Sequence, residues 1–216
     1  MAKFRISYNA PVVLTFALLA VAVFIITNEH VAPNARLWFV AWPEFRDTRS
    51  YVGLISHILG HASWQHLMGN FMLILLIGPI LEERFGSLQL LIMILITALV
   101  TGVVNVTFSS DALLGASGIV FMMILLASTA NIRSGEIPLT FIAIALIYLG
   151  GEIVRAFQDD QVSQMAHLLG GVTGAIFGFV SARGRGPMAR SHTPMAGAAK
   201  GVDVLAPKAA AKKLSP

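Results

Sequence analysis

Four side chains in otherwise apolar surroundings have the types and spacing for acyl-transfer chemistry. Ser117 lies in Leu114-Gly115-Ala116-Ser117-Gly118-Ile119-Val120, among small residues at the start of a long apolar run. A serine hydroxyl is a weak nucleophile until a base takes its proton, and histidine is the usual base. His167, in Ala166-His167-Leu168-Leu169-Gly170, can fill that role. A tetrahedral oxyanion needs hydrogen-bond donors. His66 and Asn70 are four residues apart, so a helix sets them on one face, about 6 Å apart along its axis. They offer an imidazole and an amide. A Ser117 that opens a helix adds its own backbone N–H, at the positive end of the helix dipole. The stretch is not the G-x-S-x-G elbow of soluble hydrolases, because position 119 is Ile and no strand precedes it.

These residues must be positioned by membrane helices. The 216-residue chain is 56% hydrophobic and 12% charged, with a mean hydropathy of +0.76. Soluble domains carry about 25% charged residues. A helical span needs about 20 mostly apolar residues, and six segments qualify: 11–28, 63–81, 88–108, 115–131, 138–156 and 163–182. The reading is an all-α, polytopic membrane protein, with a membrane domain over 1–182 and a disordered basic tail over 183–216. The first run resembles a signal peptide but is long for one, and a retained first helix is expected. The connection 29–62 contains Trp38, Phe39, Trp42 and Phe45. Such aromatics sit at headgroup level, so this connection is expected to be a structured element in the outer interface.

The net charge is +4 and the pI about 9.8. An excess of Lys and Arg on the cytoplasmic side accounts for that balance without nucleic acid. With both termini cytoplasmic, eleven of the 15 Lys and Arg residues fall inside, seven of them in the tail. The chain has no cysteine, which excludes disulfides and thiolate chemistry.

With that topology, spans two, four and six all start at the outer face. His66, Asn70, Ser117 and His167 then share the outer third of the membrane. Polar groups at that depth are costly and mark functional cavities. No Asp or Glu lies in the outer halves of these three spans. Asp111 is in the loop before Ser117, and Glu152 is near the outer end of span five. A Ser117–His167 dyad without a carboxylate is the economical arrangement. Gly170 and Gly174 form a G-x-x-x-G face, and Gly115 and Gly118 a small face on span four. Two such faces let helices approach closely.

Together these residues resemble the rhomboid intramembrane serine proteases of the compact six-span bacterial type. The resemblance rests on His61-Ala-Ser-Trp-Gln-His66 through Asn70, on Glu82-x-Arg84-x-Gly86, on Gly115-Ala-Ser-Gly118 and on Ala166-His167-x-x-Gly170-x-x-x-Gly174. It covers about residues 11–182 in order. It implies a six-helix rhomboid-like bundle with Ser117 as nucleophile and His167 as general base. His66, Asn70 and Ser117 would stabilise the oxyanion. It also implies substrates that are transmembrane segments of other membrane proteins, cut near their outer end, in a bacterial inner membrane. Span five would be a lateral gate and the loop after it a cap. Phe121 sits where many members carry a Tyr against the catalytic histidine. The Trp-Arg pair many members carry before span two has no counterpart in Arg49–His57.

Two other readings compete. A metal site could draw on His57, His61 and His66, but zinc needs three or four ligands. No H-E-x-x-H and no carboxylate accompany them, so no metal and no cofactor are expected. A catalytically silent chaperone or adaptor of the same fold would be expected to lack the serine or the histidine, and both are present.

Overall fold

The computed structural model describes residues 7–45, 47–129, 137–155 and 164–183. Among them are seven α-helices: α1 (Pro11–Ile26), α2 (Thr48–Ser56), α3 (Trp64–Phe85), α4 (Ser87–Phe108), α5 (Ser117–Ser128), α6 (Leu139–Arg155) and α7 (Gln164–Arg183). The single pairing of extended backbone among the described residues is an isolated bridge between Ala41 and Leu113. The fold is an all-helical membrane bundle. All six expected apolar helices form, and α2 is an extra short helix inside the 29–62 connection. The tail expected to be disordered, 183–216, lies outside the described residues from 184 onward, as does the expected cap loop over 156–163.

Among the described residues three helices, Trp64–Phe85, Ser87–Phe108 and Gln164–Ala182, are long and apolar enough to cross a bilayer. The expected span 115–131 shortens to the 12 residues of α5, about 18 Å of rise. Every residue from Gly118 to Leu126 is buried. A helix enclosed by protein has no need to match the hydrocarbon thickness. Its end is set locally, where the Ser128 and Thr129 hydroxyls donate to the carbonyls of Leu125 and Leu126, each at 2.6 Å. Such back-bonding competes with continuation of the helix. The outer helices instead expose Leu76, Ile80, Leu146, Ile147, Ile176 and Val180. Apolar surface on this scale belongs against lipid.

The most extensive helix contact is that of α5 with α7. A Cβ on Gly170 would lie 2.1 Å from the Gly118 carbonyl oxygen, and one on Gly174 2.2 Å from that of Met122. Gly178, one turn further, faces the Thr129 side chain instead, whose Oγ1 would lie 2.1 Å from a Cβ there. The expected G-x-x-x-G face thus brings the two backbones into contact at Gly170 and Gly174, and Gly178 extends the stripe of small residues against the Thr129 side chain.

Two buried polar residues tie the remaining elements together. Glu82, near the end of α3, accepts the backbone N–H groups of Val12 (2.9 Å) and Val13 (3.0 Å). These are donors that the first turn of α1 cannot satisfy within the helix. The Ser87 hydroxyl donates to the same carboxylate at 2.7 Å. His57, in the 3₁₀ turn His57–Leu59, joins the 29–62 connection to α4 and to the segment before α5. Its Nδ1 lies 3.0 Å from the Gly53 carbonyl oxygen and its Nε2 3.4 Å from Thr101 Oγ1. Its own carbonyl accepts the Gly115 N–H at 2.9 Å. In the same connection α2 is capped by Asp47, which accepts from the Arg49 and Ser50 N–H groups. The Arg49 side chain closes on that carboxylate and holds the Asp47 carboxyl below its usual range. Trp38, Trp42, Phe45 and Tyr51 expose ring surface along this element.

Two stability predictions follow from these ties. Glu82→Ala leaves the Val12 and Val13 N–H groups unpaired and should lower the unfolding free energy by about 2–4 kcal/mol, measured by SDS titration in mild detergent. Burial pushes the His57 imidazole from 6.5 down to about 4. The folded value lies below the unfolded one, so this stability is complete above pH 6.5. It drains away as pH falls towards 4, by up to about 1.4 kcal/mol per pH unit. Unfolding curves unchanged between pH 7 and pH 5 would contradict a neutral, buried His57.

Candidate active site

The segment ahead of α5 has no regular structure, yet it is held at three points. The Asn105 amide donates to the Asp111 carbonyl at 2.8 Å. Ala41 and Leu113 exchange two backbone bonds of 2.9 Å. Gly115 donates to His57, as described. This places Ser117 as the first residue of α5, with Ala116 at the N-cap. Its backbone N–H belongs to the first turn, where no intrahelical acceptor exists.

On one side of Ser117 are His66 and Asn70. Ser63 caps α3 and accepts the His66 N–H at 3.1 Å, which sets His66 in the first turn. Asn70 follows one turn deeper and is buried. Gly115 has φ +119°, a conformation that side chains disfavour. A Cβ there would also lie 2.6 Å from His66 Cε1, 2.7 Å from His66 Nε2 and 3.8 Å from Asn70 Nδ2. The imidazole and the amide therefore face the turn two residues ahead of Ser117. Glycine is required at position 115 both by its backbone and by this contact.

On the other side is His167, buried in the first turn of α7. The Ala166 carbonyl oxygen would stand 3.2 Å from a Cβ on Gly118. Phe121, one turn after Ser117, stacks flat on the His167 ring, with centroids 4.5 Å apart and planes 7° apart. Tyr148 of α6 meets the outer edge of Phe121 at 5.8 Å. Ser117 thus begins a helix whose preceding turn touches His66 and whose next turn touches His167. All four sequence candidates gather at one end of the bundle.

The three histidines of the competing metal reading are arranged differently. Both nitrogens of His57 face Gly53 and Thr101. Those of His61 face the Leu59 carbonyl and the Asn70 amide. Among the described residues no cluster of three His, Asp or Glu side chains could hold a metal ion. The His61–Asn70 contact is absent from the sequence reading. The two are nine residues apart across a helix start, so no helical period links them. The side chain of Glu152 lies outside the described residues.

Comparison with known proteins identifies relatives of the chain. A family model described as Rhomboid domain matches residues 48–184. The chain is 25% identical over 175 residues to the rhomboid protease GlpG of Haemophilus influenzae, covering 79% of this chain and 91% of the relative. It is 26% identical to the GlpG rhomboid protease of Yersinia enterocolitica, covering 82% of this chain and 65% of the relative. To rhomboid-related protein 1 of Caenorhabditis elegans it is 32% identical, over 71% of this chain and 45% of that protein. It thus spans less than two thirds of the latter two. A bundle of apolar helices built around a glycine-lined α5–α7 contact, matched by the family model over most of its length, is that of an integral membrane protein of the rhomboid family, to which this chain belongs.

Proposed function

We propose that the chain is an intramembrane serine endopeptidase that cuts transmembrane segments of other membrane proteins near their outer end. The observation that carries this reading is the Phe121–His167 stack one turn beyond Ser117. It supports His167 as the base for a nucleophile that starts α5. In this reading His167 takes the Ser117 proton as Oγ attacks the scissile carbonyl, and returns it to the leaving amine. Water then hydrolyses the acyl-enzyme with His167 again as base. Phe121 holds the imidazole plane, a task done through hydrogen bonds where a carboxylate is present. The oxyanion forms near the Ser117 N–H, with His66 and Asn70 as donors from α3. Shedding of the cut segment towards the outer face suits a site at the helix ends of α3, α5 and α7. The GlpG relatives bear the name of rhomboid proteases, which supports the same chemistry here.

Wild-type protein in proteoliposomes should cleave a reporter transmembrane substrate and take up a serine-reactive fluorophosphonate. Ser117→Ala should fold normally, lose labelling and lose cleavage by at least about 1,000-fold. Cleavage retained by that variant would sink the assignment. A wild type that neither cleaves nor labels would instead favour the silent adaptor. Gly115→Ala drives a methyl group into the His66 ring. It should lower kcat by about 100-fold, the scale expected for a displacement of about 1 Å at a reacting centre, read from initial rates on the same reporter.

A further inference from the structure

His61 has no part in the chemistry above, yet it packs against both proposed side-chain oxyanion donors, His66 and Asn70. It is buried, and its ring meets that of His66 edge-on, with centroids 5.1 Å apart. Phe71 closes another side at 5.8 Å. Nδ1 lies 3.2 Å from the Leu59 carbonyl oxygen. A carbonyl oxygen only accepts, so Nδ1 carries the proton and Nε2 carries a lone pair. That lone pair lies 3.2 Å from Asn70 Nδ2. The opposite orientation of the amide would set Oδ1 against Nε2, acceptor against acceptor. One backbone carbonyl thus selects a tautomer, and the tautomer selects which end of the Asn70 amide faces His61. Burial, then the neighbouring His66, push the His61 imidazole down to about 4. The lone pair is therefore available at neutral pH. The amide nitrogen also lies 3.8 Å from the Cβ position at Gly115, two residues before Ser117 in the chain.

We propose that His61 is a positioning residue, whose Nε2 holds one N–H of Asn70 so that the other is presented to the forming oxyanion. This rests on the reading of Asn70 as an oxyanion donor. His61 itself touches no reacting atom. Its effect belongs to the transition state, because the amide meets a full negative charge only there.

Two substitutions separate hydrogen bonding from packing. His61→Phe keeps a ring against His66 and Phe71 but can neither accept from Asn70 nor donate to Leu59. His61→Gln gives up the ring but can do both. With a reporter transmembrane substrate in proteoliposomes, His61→Phe should lower kcat about 10-fold, a fraction of what loss of a whole oxyanion donor costs, with KM unchanged. His61→Gln should retain most of kcat. In a double-mutant cycle with Asn70→Ala, His61→Phe should add no further loss, because its effect passes through the missing amide. Additive losses, a Gln variant slower than the Phe variant, or a loss confined to KM would overturn the proposal. An Asn70→Ala enzyme with unaltered kcat would remove the oxyanion reading itself, and the role of His61 with it. An impaired Asn70→Ala enzyme with additive losses would remove only the role of His61. Unfolding transitions in detergent identify a variant that does not fold, and His61→Leu then carries the same cycle in place of His61→Phe.

Discussion

The carbonyl oxygens of Gly118 and Met122 lie 2.1 and 2.2 Å from where a Cβ would stand on Gly170 and Gly174. No side chain larger than hydrogen fits between α5 and α7 there. In lipid, apolar surface gains little by leaving the tails, so helix association depends on close van der Waals contact. Gly170 and Gly174 supply that contact over the first half of α5. Much else follows from it. The first turn of α7 is brought beside the first turn of α5, which puts Phe121 on the face of His167. Because α7, α3, α4 and α6 wrap α5, its 12 residues are enclosed and need not span the hydrocarbon.

Around this contact the fold satisfies its buried polar groups one by one. The Glu82 carboxylate takes the first N–H groups of α1, so the start of α1 and the end of α3 are joined at one end of the bundle. His57 joins the 29–62 connection to α4 and to Gly115. Asn105 holds the segment before α5. In a low-dielectric interior an unpaired polar atom is costly, so each of these bonds also specifies one arrangement. Together they remove the freedom of the loop that delivers Ser117. The rigidity matters to the proposed chemistry, because an oxyanion site works only when its donors are placed before charge develops.

The helices were readable because the solvent imposes a simple rule. A run of apolar residues in lipid must satisfy its backbone internally, which makes it a helix. All six apolar runs therefore appear as helices, with ends within four residues of those expected, and α5 is shorter at both ends. There the hydroxyls of Ser128 and Thr129 and the enclosure by neighbouring helices shorten the helix, and neither effect has a compositional signature. Ser117, His167, His66 and Asn70 stood out because polar residues are conspicuous in apolar runs and because three spans start on the same side. The contact of His61 with Asn70 was not visible. Its neighbour in the chain sense is a loop, and its partner is on the helix that follows.

By itself, the amino-acid sequence determined the class of solvent, the number of the apolar helices, and which residue types and spacings are candidates for acyl-transfer chemistry. Those properties are carried by composition and by local spacing, and they hold for any packing of the helices. Tertiary structure alone decided which helix faces meet. It set Gly178 against the Thr129 side chain and Phe121 flat on His167, and gave the His57 and His61 nitrogens partners within the protein. It also placed the Asn70 amide against a single histidine lone pair. Such contacts depend on backbone separations of an ångström or two between segments far apart in the chain, and no local pattern encodes a distance of that kind.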